Sequence, residues 1–441
     1  MRQRLAKIFI IGAIASLFFR TGFITPASIM PFEIFIWLAL IFTLPGLKLK
    51  KIAYWLKLLA LFIIFSLIGL WQGYISYNNF TPEIIRGLIL DYYFLISSIL
   101  SFLLLIYYQE DKKFLKNCFY AFLAPLGLGI LLLWPGNFFI KDFRLIAFHT
   151  GPSVLASLLI VPMAIILSEL IAGEKIKNQL LAGTGATLIL ALIFWSGTRA
   201  AWLAIFFMLV LVFFYYLKKA KNQVKFTANL ILWSIIISAI AFLIIPREAQ
   251  NMMFSRIYPQ YTKNFYDQKE IVAESKEISW LILAKIPSIS LPGITQKNIL
   301  EIIKIAKVKK DKTFVPNLSS EDRQSLFPKS LKLMASHPLG LGPQFYRIEQ
   351  QILVNNFPAG AHNTFLATLL IGGPGMLLII LFLLYRAFKS WWLIKNKNSH
   401  WLGIGLSLVG LMVILIFDDR LTHPWFWIIP GLAIAWPEKS R

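Results

Sequence analysis

The chain has 441 residues, 58% of them hydrophobic and only 15% charged, with a mean hydropathy of +0.68. Soluble domains carry about 25% charged residues, so a water-soluble core is excluded and the chain reads as an all-α, polytopic membrane protein whose first partner is the lipid bilayer. Its net charge of +23 comes as short Lys and Arg clusters between apolar runs, not as one stripe or tail, which argues against nucleic acid and for headgroups and topology signals.

A membrane-crossing helix needs about 20 mostly apolar residues. Twelve runs qualify, at 7–23, 27–44, 52–71, 88–108, 118–134, 153–172, 179–196, 200–217, 227–245, 364–388, 401–417 and 421–436. The first begins like a signal peptide but reads as a retained span. In the second, Pro31 and Glu33 are expected to interrupt the helix, and Pro430 shortens the last. Three regions follow: spans one to nine in 1–245, a long and partly helical loop in 246–361, and spans ten to twelve in 362–441. Cys118 is the only cysteine, so neither an intrachain disulfide nor a cysteine metal site is possible.

With the N-terminus inside, the inner segments hold about 21 Lys and Arg and the short outer loops roughly six, as the positive-inside rule requires. Both termini are then cytoplasmic and the long loop is outside. The run 180–217 tests this topology. As one helix it would be nearly twice as long as the roughly 30 Å hydrocarbon core, so it must fold back at Ser196-Gly197-Thr198-Arg199, its only polar break.

The long loop carries 16 Lys and Arg against 10 Asp and Glu, a balance that points to an anionic ligand. Within it, Ile299, Ile302, Ile303 and Ala306 recur at helical spacing and read as a surface helix. Three polar places stand out on the outer face. Arg199 follows Gly197 at the hairpin tip; glycine permits close approach, and a guanidinium fork suits phosphate oxygens, although arginine at a helix end also serves as a membrane anchor. Arg323 precedes a helical run that stops at Ser336-His337-Pro338-Leu339-Gly340-Leu341-Gly342, where His337 reads first as a helix-end residue. His362, in Ala361-His362-Asn363-Thr364, stands at the water boundary before span ten and exchanges protons near neutral pH. Asp418-Asp419-Arg420 reads as a self-paired, solvated turn, and His423 before Pro424 as a helix start.

Ser196-Gly197-Thr198-Arg199-Ala200, Arg323 with Ala335 to Gly342, and His362-Asn363-Thr364-Phe365-Leu366 running on to Ile371-Gly372-Gly373-Pro374-Gly375, taken in this order, resemble the O-antigen ligase family and its O-antigen polymerase relatives. The resemblance covers about 180–384. It implies transfer of a glycan from an undecaprenyl-diphosphate carrier to an acceptor hydroxyl, lipid A-core or a growing polysaccharide, at the periplasmic face of the bacterial inner membrane. It further implies that Arg199 and Arg323 hold the diphosphate, that His362 is general base or acceptor-positioning residue, and that Gly197, Asn363 and His337 line the substrate. No Asp-x-Asp motif or metal-spaced His/Glu cluster is present, so neither metal nor other cofactor is expected. Two readings compete: a polymerase of the same superfamily, and a twelve-span transporter or flippase. The latter would place ionisable residues at the bilayer midplane and show repeated halves, whereas here the midplanes are nearly free of charge, Asp91 standing near the end of one span, and the halves are unalike.

Overall fold

The computed structural model describes residues 1–18, 31–77, 82–124, 140–141, 144–145, 152–172, 176–217, 223–245, 247, 250, 328, 330–346, 363–394 and 399–436. The chain divides into two compact units, Met1–Gln250 with Lys329–Arg441, and Asn251–Pro328. The elements below belong to the first. In chain order they are α1 (Arg2–Ala15), α2 (Pro31–Thr43), α3 (Ala53–Tyr77), α4 (Pro82–Tyr107), α5 (Lys112–Ala121), α6 (Pro152–Ala172), α7 (Ile176–Ser196), α8 (Arg199–Leu217), α9 (Gln223–Ile244), α10 (Thr364–Trp392), α11 (Ser399–Phe417) and α12 (Pro424–Ala435). Apart from a two-residue antiparallel hairpin, Ile140–Lys141 with Arg144–Leu145, the described residues are helical or connecting.

Five segments are long and apolar enough to cross a membrane: Ala53–Ser76, Ile84–Tyr107, Ser153–Leu170, Thr364–Trp392 and Ser399–Phe417. Shorter apolar helices are Pro31–Gly46, Leu181–Ser196, Arg199–Phe214, Ser234–Ile244 and Pro424–Ala435. Each coincides with an expected span, while the full count of twelve rests on the sequence. The 180–217 run does fold back, with α7 and α8 separated by Gly197 and Thr198. One expectation is corrected: Pro31 does not interrupt α2 but opens it. At the first helical position proline loses no hydrogen bond and its fixed φ suits the helix, and Glu33 in the first turn faces the positive end of the helix dipole.

Side-chain neighbours fix the relative directions of the helices. Arg386 of α10 lies 5.9 Å from the Trp55 ring of α3, Phe65 meets Gly372 and Gly375, and Gly69 meets Ile371, so α3 and α10 are antiparallel. Ser168 of α6 meets Gly403 of α11 and Ile160 meets Gly410, again in opposite order. Ile166 of α6 faces Gly185 of α7 across a short connection, which makes these two antiparallel as well.

The bundle therefore has two distinct ends. At one, Lys7 pairs with Asp111 at 2.6 Å and Lys51 with Glu110 at 2.8 Å, and Lys112 donates to the carbonyls of Ala435 and Trp436 where α12 ends. These lysines belong to the clusters that the sequence reading assigns to the inner side. At the other end are the α7–α8 turn, the start of α10, the turn between α11 and α12, and the loop 337–346.

Candidate functional site

The α7–α8 turn is built by small polar residues. Gly197 takes φ 62°, a left-handed conformation that glycine adopts without strain. Ser196 Oγ donates to the Ile193 carbonyl at 2.6 Å and lies 3.2 Å from Thr198 Oγ1, and both residues are buried. Arg199 is the first residue of α8 and is exposed, with Trp202 one turn further on packed edge-to-face against Phe194. Arg199 thus stands at the positive end of a helix, where an anion is favoured, and a guanidinium fork suits phosphate oxygens.

A second construction surrounds the glycine-rich loop. Pro374 has no N–H to give the carbonyl four residues back, that of Leu370, and Gly372 (φ −139°, ψ 21°) and Gly373 (φ 67°, ψ −168°) leave the helical conformation, so α10 is kinked. Another segment satisfies the carbonyls released at the kink. Leu341 N donates to Leu370 O at 2.7 Å and Gly342 N to Ile371 O at 2.9 Å. The loop reaches this position because the helix over 330–336 stops at His337, whose N–H still bonds to Leu333 O at 3.0 Å, and because Gly340 and Gly342 take φ 88° and 78°. On the other side of the loop, Gln72 Oε1 of α3 accepts from Leu339 N at 3.2 Å, and Gln344 Nε2 donates to Asp91 Oδ2 of α4 at 2.5 Å. Gly69, Gly73 and Gly87 present no Cβ where the loop and the kink pass. The loop is thus wedged between α3, α4 and α10.

The third construction is the entrance to α10. Asn363 caps the helix, its Oδ1 accepting from Leu366 N at 2.9 Å, and its Nδ2 donates to Ile416 O at the end of α11 at 2.9 Å. Thr364 Oγ1 donates to Asp418 O at 2.7 Å and accepts from Arg420 N at 3.0 Å. Here a second expectation is corrected. Asp418 and Arg420 do pair with each other, but the turn is not solvated: Arg420 is only 4% exposed. His423 caps α12 ahead of Pro424 as the sequence indicated.

Of the residues singled out in the sequence, Arg199, Gly197, Asn363 and His337 therefore lie at one end of the bundle, opposite the Lys7, Lys51 and Lys112 contacts. His337 ends its helix, with Nδ1 3.0 Å from Ser336 Oγ. Arg323, His362 and the 299–306 run lie outside the described residues, although Asn363 fixes the chain immediately after His362. Sequence reasoning passed over Gln72, Gln344, Tyr346 and the Thr364 hydroxyl as contacts of this end of the bundle. The Gly69-x-x-x-Gly73 spacing, small residues on one helix face, was the available signal for close backbone approach on α3.

Long apolar helices whose ion pairs, among the described residues, lie at two opposite ends define a polytopic helical membrane protein. Within that class, residues 184–380 match the family described as O-antigen ligase. The match begins in α7, ends in α10, and takes in all three motif segments. No curated protein matches the chain.

Proposed function

We propose that the protein is a membrane glycosyltransferase that moves a glycan from an undecaprenyl-diphosphate carrier to an acceptor hydroxyl, lipid A-core being the acceptor, on the periplasmic face of the bacterial inner membrane. The observation that carries this reading is the family match over 184–380, which includes Arg199, Arg323 and His362. Departure of a lipid diphosphate builds negative charge on the bridging oxygen, and fixed guanidinium groups in a site of low dielectric stabilise that charge in the transition state. Arg199 and Arg323 take this role, with Gly197 allowing a phosphate close to the α8 start. His362 removes the proton from the acceptor hydroxyl as that oxygen attacks the anomeric carbon, and direct displacement inverts the configuration there. Asn363 and His337 contact the substrate beside it.

The test is reconstitution of the full chain in lipid with a synthetic undecaprenyl-diphosphate glycan and lipid A-core. Expected are a glycosylated acceptor and free undecaprenyl diphosphate in equal amounts, with inverted anomeric configuration. Glycan that lengthens on the carrier instead would identify a polymerase, and vectorial movement of the donor without transfer would identify a flippase.

A further inference from the structure

The turn between α11 and α12 is hydrogen-bonded to two other segments at this end of the bundle, the end of the wedged loop and the start of α10. On one side Tyr346 OH, at the end of the wedged loop, donates to Asp419 Oδ2 at 2.9 Å. On the other, Thr364 Oγ1 uses both its donor and its acceptor function on the turn, at Asp418 O and Arg420 N, two residues after His362 in the chain. The turn is itself held in shape. Arg420 pairs with Asp418, its Nη1 lies 3.1 Å from His423 Nε2, and Asp419 N donates to Asp418 Oδ1 at 3.0 Å.

Fold stability alone does not call for this arrangement. The capping requirement of α10 is already met by Asn363, so the Thr364 hydroxyl is not needed for it. A buried ion pair such as Asp418–Arg420 gains little over apolar residues of the same volume, because both charges lose their water. Among the described residues, moreover, Arg420 Nε is buried with no hydrogen-bond partner, a cost that a purely structural turn would have no reason to carry. What the arrangement does achieve is a fixed distance between the entrance of α10 and the end of the glycine-rich loop.

We propose that Thr364 is a positioning residue for glycan transfer, and that the turn 418–420 fixes, through Thr364 and Tyr346, the relation between the His362 segment and the wedged loop. The inference rests on the transfer reading above. Thr364 touches no substrate; it sets where the segment bearing the general base stands. Displacement of a reacting group by about an ångström costs on the order of 10²-fold in rate, so loss of both Thr364 bonds acts on turnover more than on donor binding.

The experiment compares wild type, Thr364→Val and Thr364→Ser, each as the full chain in lipid with the undecaprenyl-diphosphate glycan and acceptor, after normalisation to folded protein. Valine keeps the shape and removes both bonds; serine keeps the hydroxyl. Thr364→Val is expected to lower kcat by about 10- to 100-fold while the donor KM stays within about twofold, the pattern of a lost transition-state arrangement, and Thr364→Ser is expected to recover most of the rate. Wild-type kcat in Thr364→Val, or a serine variant as impaired as the valine one, overturns the proposal. If Thr364→Val yields no folded protein, Tyr346→Phe decides, since it releases the other attachment of the turn: a fall in kcat at unchanged KM upholds the proposal and an unchanged kcat overturns it. Absence of transfer by the wild type would instead defeat the transfer reading itself, and this inference with it.

Discussion

Replacing Gly69 by alanine puts the wedge under direct strain. The added Cβ would stand 2.0 Å from the Ile371 carbonyl oxygen and 3.0 Å from that of Leu339, both backbone atoms, so neither neighbour can swing aside as a side chain would. Either α3 withdraws from the α10 kink by roughly an ångström, at an overpacking cost of about 1–3 kcal/mol, or the loop lifts from the kink. Lifting loosens the bonds from Leu341 N and Gly342 N, now 2.7 and 2.9 Å. Each is worth about 1 kcal/mol, and more where a buried carbonyl is left bare. Along either route the loss is roughly 1–3 kcal/mol. The control is Gly183→Ala in α7, where an added Cβ meets nothing within 4 Å and alanine is the better helix former by about 1 kcal/mol. Thermal unfolding in detergent, followed by tryptophan fluorescence, should rank Gly183→Ala at or above wild type and Gly69→Ala several degrees below. Equal Tm values for the two variants would refute the wedge as described.

Three further outcomes are expected. Arg199→Lys keeps the charge but loses the bidentate fork, so transfer should fall substantially at normal expression; wild-type activity would return Arg199 to the role of a membrane anchor. Reporter fusions at Lys221 and at Lys312 should report opposite compartments, and the same compartment for both would contradict the twelve-span topology. At the opposite end of the bundle, the Lys7 ammonium and the Phe114 N–H hold the Asp111 carboxyl below the usual aspartate range. A lowered folded value stabilises the fold fully above the unfolded value and stops doing so as pH falls through the folded one. The Tm gap between wild type and Asp111→Asn should therefore be constant around neutral pH and close in acid, and a gap that widened in acid would reverse the assignment.

The spans that coincide with described apolar helices were legible in the sequence because the lipid requirement is local: a run of about 20 apolar residues announces itself without reference to the rest of the chain. The fold-back at Gly197 was legible for the same reason, since bilayer thickness leaves no other solution for 180–217. The wedge was not. Leu339 and Gln72 are 267 positions apart, and nothing in Gly372-Gly373-Pro374 says which segment will satisfy the carbonyls released by the kink. Pro31 was misread because proline breaks a helix interior but favours its first position, and the sequence alone did not fix which applied. The Asp418–Arg420 pair was correctly seen as self-paired, whereas the turn that holds it is bonded to Thr364 and Tyr346, which come from two other parts of the chain. Of the candidate site, the residue types and their order were readable; the joining of Thr364 and Tyr346 through one turn was not.

The measurement that bears most directly on the proposed chemistry separates donor binding from turnover in two variants, using purified full-length protein in lipid and a synthetic undecaprenyl-diphosphate glycan. A general base contributes about 10²- to 10⁴-fold to rate, so His362→Ala should lose that much turnover while still binding the donor. Arg323→Ala should bind the donor weakly and also slow expulsion of the diphosphate. If His362→Ala lost donor binding as severely as Arg323→Ala, the division of labour would be wrong and His362 would belong with the arginines at the diphosphate.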